Sequence, residues 1–286
     1  MLLVTGATGN LGGHVISQLS KIASSNQFVI FARDTNKAQK FIAQDLQVRF
    51  GDFNDASTLE RAFEGIDKLL LISTMEFNRF EQHKNVIDAA KAAGVKHIYY
   101  TGLAIHDIES SHVRDLMLSH FATEAYILAS GLNFTFLRTT MYTDAIPLIV
   151  GEQVFENGIF LPGGEGKVPY ALRREMGEAI ANLLMQNGHE NKIYHITGEH
   201  AYSYQDVAQI LSEISNKDVT YTNANEETFE ALLKNIQMPE FMIYLTKGTV
   251  LDIKHKQYEI ESTTLKDLLG HSPIDLKSAL KELYLL

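Results

Sequence analysis

Residues 5–12 read Thr-Gly-Ala-Thr-Gly-Asn-Leu-Gly and follow directly on the apolar run Leu2, Leu3, Val4. An apolar strand that feeds a glycine-rich turn and then opens a helix presents backbone N–H groups and a helix N-terminus to an anion, and a pyrophosphate fits that arrangement. Gly6 permits the sharp exit from the strand, Gly9 lets the backbone approach the phosphates, and Gly12 lets helix and strand pack closely. The spacing is GxxGxxG rather than the GxGxxG of many dehydrogenases. Further along stand Arg33, Asp34 and Lys37. Where NAD enzymes place an acid for the ribose 2′-hydroxyl, a guanidinium suits a 2′-phosphate, so Arg33 with Lys37 points to NADP. Asp34 leaves the ribose reading open, because an acid one residue later still reaches a hydroxyl.

These residues need a βαβ unit to hold them. Asn10–Ile22 carries Leu11, Val15, Ile16, Leu19 and Ile22 near helical spacing, and Phe28–Ala32 reads as a buried strand. The alternation continues with a helix over 35–43, a strand over 46–50 and a helix capped near Asp55. A strand follows over 68–73, then a helix over 80–93 ending at Gly94, a strand over 95–101, a helix ending near Gly131, and a strand over 133–138. Such repetition specifies an α/β fold with a Rossmann-like, doubly wound parallel sheet and right-handed crossovers. Beyond residue 145 the pattern loosens, with turns at Asn157-Gly158 and Pro162-Gly163-Gly164, a helix over 174–185, a strand over 192–197 and a helix over 203–214. The expected division is a dinucleotide-binding domain over 1–150, with 175–197 returning to it, and a smaller, mostly helical C-terminal substrate lobe over 151–286. Such a lobe would close the cleft at the carboxyl ends of the strands.

Composition removes several classes of function. The chain has 286 residues, 45% of them hydrophobic and 21% charged, as in an ordinary globular protein. A formal net charge of −10 argues against nucleic acid or an anionic membrane surface as the main partner. The absence of cysteine excludes disulfides, thiolate catalysis and cysteine-ligated metal centres, and fits a reducing cytoplasm. No charged leader with an apolar core precedes the first strand, and no apolar run approaches the ~20 residues of a membrane span. Together these give the expectation of a cytoplasmic protein, with a homodimer left open. The eleven histidines, His106, His112 and His120 among them, match no metal-ligand spacing, so no metal is expected.

Beside the glycine turn, the stretches FARDTNKA, Gly51-Asp52-Phe53, LLLIS and HKNVIDAAKAAGVKHIYYTGL carry a resemblance that extends over nearly the whole chain. LRTTMYTD, GKVPYALRREMGEAIANLL and YHITGEHAYSYQDVAQIL continue it. The chain resembles the NmrA-like branch of the atypical short-chain dehydrogenases, and within it the NADPH-dependent quinone reductases of the quinone oxidoreductase 2 type. The resemblance implies that Gly6, Thr8, Gly9, Asn10 and Leu11 hold the pyrophosphate of NADPH and that Arg33, with Lys37, takes the 2′-phosphate. Asp52 and Phe53 would flank the adenine, and Ile72, Ser73 and Thr74 would lie along the ribose and nicotinamide. Thr101 and Gly102 at the end of the fifth strand, and residues 139–142 at the end of the sixth, would complete the crevice. For the Ser73 and Thr101 hydroxyls, simple turn satisfaction is as good a reading.

Most short-chain dehydrogenases use Tyr-x-x-x-Lys, whose lysine lowers the tyrosine pKa for proton transfer. No tyrosine here has lysine four residues on, and Ala125 stands where quinone reductases of this type usually have lysine. Quinone reduction tolerates that loss, because hydride addition yields a stabilised hydroquinone anion that water or a modest acid can protonate. The expected activity is therefore hydride transfer from NADPH to a small quinone or similar acceptor. Phe77, Thr139, Met141 and Tyr142 would wall its pocket, core packing being the other reading of the three large side chains. His120 is the candidate proton donor, with a structural histidine as the alternative. A different class also stays open: an NmrA-like regulator that binds NADP, does no chemistry and acts through a protein partner.

Overall fold

The computed structural model describes residues 1–151 and 153–286. Its centre is a parallel sheet of seven strands in the order β3-β2-β1-β4-β5-β6-β9. These are β1 (Leu2–Val4), β2 (Phe28–Ala32), β3 (Val48–Phe50), β4 (Lys68–Leu71), β5 (His97–Leu103), β6 (Asn133–Thr139) and β9 (Lys192–Ile196). The order reverses at β1, which pairs with β2 on one side and β4 on the other, so the carboxyl ends of these strands diverge there and open a crevice.

The inner strands β2, β1 and β4 are almost wholly apolar because both faces of the sheet are covered there, whereas the edge strands β3 and β9 are partly exposed. Leu2, Val4, Ile30, Leu70, Leu137 and Ile196 pack with helices α1 (Asn10–Ile22) and α8 (Arg173–Leu184). Leu3, Val29, Leu69, Ile98 and Phe136 pack on the other face with α3 (Ala56–Ala62), α4 (Arg79–Ala92) and α5 (Arg114–Ser130). Local sequence sets the helix ends. The Asp34 carboxylate accepts from the N–H groups of Asn36 and Lys37 to cap α2 (Thr35–Ile42), and Gly131 closes α5 in the left-handed conformation at φ 78°.

After β6 the chain leaves the sheet. A 3-10 turn (Thr143–Ala145), α6 (Ile146–Val150), α7 (Val154–Asn157), β7 (Ile159–Leu161) and β8 (Lys167–Val168) precede α8. Following β9 come β10 (Tyr202–Ser203), α9 (Tyr204–Ser215), β11 (Tyr221–Asn223), α10 (Glu226–Asn235), α11 (Glu240–Lys254), α12 (Thr264–Leu269) and α13 (Leu276–Leu283). The lobe has its own core of Val154, Ile159, Leu161, Tyr204, Val207, Leu211, Phe229 and Val250, among others. It also holds two small two-stranded sheets, β7 with β11 in parallel and β8 with β10 antiparallel, where the loose pattern suggested mostly helix. Strands of two or three residues show no period, and these, unlike β1 and β3, are not flanked by a regular strand–helix alternation.

Two further boundaries differ from the sequence reading. Strand β5 starts two residues later than expected and runs on to Leu103, pairing with β6 along its whole length. Helix α12, within the stretch assigned to the lobe, instead packs on α8 and β9, and Leu265 and Leu269 join the core beneath the central sheet. Among the described residues, no helix is long and apolar enough to cross a membrane.

Because Leu265 is fully buried against the sheet's helices, Leu265→Ala is expected to cost about 2–5 kcal/mol. Urea unfolding followed by far-UV circular dichroism should show one transition with a lowered midpoint; a separate early transition of the lobe alone would contradict this packing.

Candidate functional site

The turn between β1 and α1 is closed by contact rather than by side-chain capping. Gly6 sits at φ +64°, and a Cβ on Gly12 would stand 2.3 Å from the Gly6 carbonyl oxygen, so helix and turn meet at a distance only glycine allows. Gly9 occupies the N-cap of α1 with no side-chain hydrogen bond, and the first turn contains no acid. The first-turn N–H groups, which have no intrahelical acceptors, are therefore directed at the crevice with the positive end of the helix dipole.

Gly6, Thr8, Gly9, Asn10 and Leu11 line this crevice together with Ile72, Ser73, Thr74, Thr101, Thr139 and Tyr142, and the space measures about 370 Å³. A second space of about 160 Å³ continues from it past Phe53 toward Arg33, Gly51, Asp52 and Glu76. Gly6, Thr8, Phe53 and Thr74 border both, so the two form one elongated cleft across the switch point. At its far end the Phe53 ring stacks on Phe31 with centroids 5.4 Å apart, giving a flat apolar wall.

The strand ends that form the floor are tied to one another. The Thr5 hydroxyl donates to the Leu70 carbonyl and accepts from the Ile72 N–H, both at 3.0 Å. The Thr101 hydroxyl accepts from the Ser73 N–H at 2.9 Å and donates to the Ser73 hydroxyl at 3.4 Å. These bonds give Thr101 and Ser73 a turn-satisfying role and also bring them to the cleft. Behind them lies Arg79, fully buried. Its guanidinium donates to the Thr74 carbonyl, to the Leu116 carbonyl at 3.2 Å and to the Ser119 hydroxyl at 2.9 Å, which pins the β4–α4 segment to α5.

Several candidates from the sequence are placed elsewhere. Asp34 uses its Oδ1 to cap α2, while Lys37 stands exposed one turn further along that helix. Gly102 faces away from the cleft, because successive strand residues alternate in direction and Thr101 before it points to the cleft; a Cβ on Gly102 would lie 2.9 Å from the Glu124 carboxylate on α5. Phe77 is 75% exposed and packs edge-on against Phe241 of the lobe, with centroids 5.2 Å apart. Met141 packs against the lobe core, the alternative already open for it. Tyr142 does line the cleft, and its neighbour there is a residue that sequence reasoning passed over: the Arg173 guanidinium lies 4.3 Å from the centre of the Tyr142 ring. Arg173 begins α8, and its backbone N–H donates to Asp144 at 2.9 Å. Only its position within the GKVPYALRREMGEAIANLL stretch could have signalled it.

His120 lies beneath the sheet. It is 6% exposed, and its Nδ1 is 2.8 Å from the Tyr100 hydroxyl. Burial first, then the nearby charge of Arg79, holds its pKa well below the ordinary histidine value, and the same two causes lower that of His83 to about 3. A neutral, enclosed imidazole is a poor proton source for the cleft at neutral pH, and its contact with Tyr100 gives His120 a structural place instead. Tyr142 is the opposite case. Burial raises its phenol pKa, keeping it a hydroxyl donor at the cleft wall. Among the described residues, no group of three or more acids, histidines or cysteines is arranged to hold a metal.

Comparisons with known proteins bear on the family and the fold. The model of the NmrA-like family matches residues 1–269. Quinone oxidoreductase 2 of Escherichia coli (strain K12) is 36% identical over 286 residues, which is 99% of each chain. The crystal structure of an E. coli NADPH-dependent quinone oxidoreductase with NADPH superposes with a TM-score of 0.90 at 36% identity, covering 99% of this chain and 100% of that one. That of Citrobacter sp. triphenylmethane reductase with NADP(H) gives 0.90 at 35% identity, covering 99% of each.

A depressed histidine pKa makes stability pH-dependent with a fixed sign. The contribution is fully present above the unfolded-state value near 6.5 and is lost as pH falls from there toward the folded-state value. His120→Gln should therefore cost about 1–3 kcal/mol at pH 7.5. That deficit should narrow by up to about 1.4 kcal/mol per pH unit below 6.5. Urea titrations of both proteins between pH 7.5 and 5 check this; a constant difference would mean that the imidazole is accessible to protons when folded.

Proposed function

Because the chain belongs to the NmrA-like family, we propose that it is an NADPH-dependent reductase whose acceptor is a quinone or another flat, electron-poor molecule. The observation that carries this reading is the cleft itself, with an uncapped helix N-terminus in its middle, Arg33 at one end and the Thr139–Tyr142 wall at the other. The residues fit a dinucleotide. The close approach of Gly12 to the Gly6 carbonyl leaves the backbone of the turn bare for a diphosphate, which Gly6, Thr8, Gly9, Asn10 and Leu11 would hold. Phe53 would cover one adenine face with Asp52 beside it, and Arg33 would take the 2′-phosphate; Lys37 would add only long-range charge. Ile72, Ser73, Thr74 and Thr101 would run along the ribose and nicotinamide.

When bound, the cofactor supplies the hydride. The protein's task is to bind, orient and exclude water, and its residues suit that division of labour. Thr139 and Tyr142 would border the acceptor, with the Tyr142 hydroxyl protonated and able to donate to an acceptor oxygen. Arg173 beside it would stabilise negative charge that develops there. A Tyr-x-x-x-Lys pair is not needed for an acceptor whose reduced anion is already stabilised. The relatives with quinone and triphenylmethane dye acceptors support an open acceptor pocket. The lack of cysteine suits a reducing cytoplasm.

Purified protein with NADPH should reduce benzoquinones and naphthoquinones well above the uncatalysed rate, followed as loss of absorbance at the NADPH band. The second reading, an NADP-sensing regulator, draws on the missing Tyr-x-x-x-Lys and on Ala125. Tight NADPH binding without turnover on any acceptor would establish that reading instead.

Removal of the guanidinium tests the adenosine end separately. Arg33→Ala should weaken NADPH binding roughly tenfold, about 1.4 kcal/mol, and NADH much less. Equal losses for the two nucleotides in isothermal titration calorimetry would remove Arg33 from the 2′-phosphate site.

A further inference from the structure

The adenosine end of the cleft holds more acid than base. Arg33, Asp52 and Glu76 all border it. Asp34, next to Arg33 in the chain, turns one oxygen to the first turn of α2, and Asp52 turns one to its own loop, where it accepts from the backbone and side-chain amides of Asn54 at 2.9 and 3.0 Å. Glu76 is the acid that meets the guanidinium. Its Oε1 lies 3.7 Å from Arg33 Nη1.

The carboxylate is also anchored. Its second oxygen accepts from Gln82 Nε2 at 2.6 Å, and Gln82 is buried at 2% exposure, with its Oε1 accepting from the Thr74 hydroxyl at 2.9 Å. Glu76 therefore reaches Arg33 from the opposite wall of the cleft, from the segment after β4 rather than from the end of β2. An exposed ion pair at this distance is weak in itself. Its consequence lies in what must share the guanidinium. A 2′-phosphate bound to Arg33 brings close to two negative charges beside a fixed carboxylate, whereas an unphosphorylated ribose offers that carboxylate a hydroxyl donor.

Resting on the reading of Arg33 as the group that meets the 2′-phosphate, we propose that Glu76 is a specificity-determining residue. It opposes the 2′-phosphate, supports the 2′-hydroxyl and so holds down the preference of the site for NADPH over NADH. The acid expected at the end of β2 in an NAD site is supplied here from across the cleft, and one site serves both nucleotides.

Isothermal titration calorimetry of the full chain with NADPH and with NADH tests this. Glu76→Gln keeps an oxygen for the Gln82 amide and removes only the charge. NADPH should bind roughly three- to tenfold more tightly to it than to the wild type, while NADH binds the same or more weakly. Glu60→Gln, an exposed acid on α3 with the same loss of net charge, should leave the ratio of the two dissociation constants unchanged. A ratio unaltered by Glu76→Gln, or one altered equally by Glu60→Gln, overturns the proposal while leaving the nucleotide site standing. Wild-type protein that binds neither nucleotide overturns the nucleotide reading and this proposal with it.

Discussion

The approach of α1 to the turn before it is the constraint from which the site follows. Gly12 lies so near the Gly6 carbonyl that no side chain fits between them. This contact sets where the helix begins, and hence where its free N–H groups point. It also occurs at β1, the strand on whose two sides β2 and β4 diverge. A helix N-terminus placed anywhere else in the sheet would face a closed row of strand ends; here it faces a cleft. Further along, α1 rests on α8 through Val15, Ile16 and Leu19, so the large apolar core on that face of the sheet holds the glycine turn in register.

The walls of the cleft are stiffened from behind. Thr5, Thr101 and Arg79 each use their polar atoms to join neighbouring strand ends or to fix the β4–α4 segment on α5. Burying a guanidinium is costly unless its donors are matched, and Arg79 finds two carbonyls, a hydroxyl and the Met75 sulfur. Burial first, and then the positive charge so enclosed, holds His83 and His120 neutral. The polar groups packed around Arg79 are thus structural, and in the proposed reaction the cleft side would fall to Tyr142 and Arg173. Such a site would act through placement more than through proton transfer, as proposed for a chain that lacks Tyr-x-x-x-Lys.

The alternation of apolar runs with helical periods was enough to obtain the parallel sheet, because each long strand and each amphipathic helix announces its own type. The small strands of the lobe did not: β7, β8, β10 and β11 span two or three residues and, unlike the equally short β1 and β3, stand outside the regular strand–helix alternation. Leu265 and Leu269 illustrate a second kind of loss, since nothing local distinguishes a leucine that joins the lobe from one that returns to the sheet. The alternation of faces along β5 decided the fate of Gly102, since Thr101 beside it lines the cleft. Phe77 and His120 fit a pocket by type but are separated from it by direction, one turned outward to Phe241 and the other inward to Tyr100.

By itself, then, the sequence determined the strand–turn–helix at residues 2–22, the cation at the end of β2 and the doubly wound order of the sheet, since these depend on residue type and spacing within a short stretch. Tertiary structure alone decided which side chains share the cleft. Arg173, 140 residues from Arg33 in the chain, and Glu76, on the far wall, are brought there by packing between helices and strands that no local pattern encodes. Direction and distance between remote residues are properties of the packed chain. The recognition of an anion by a bare helix end is a property of the turn.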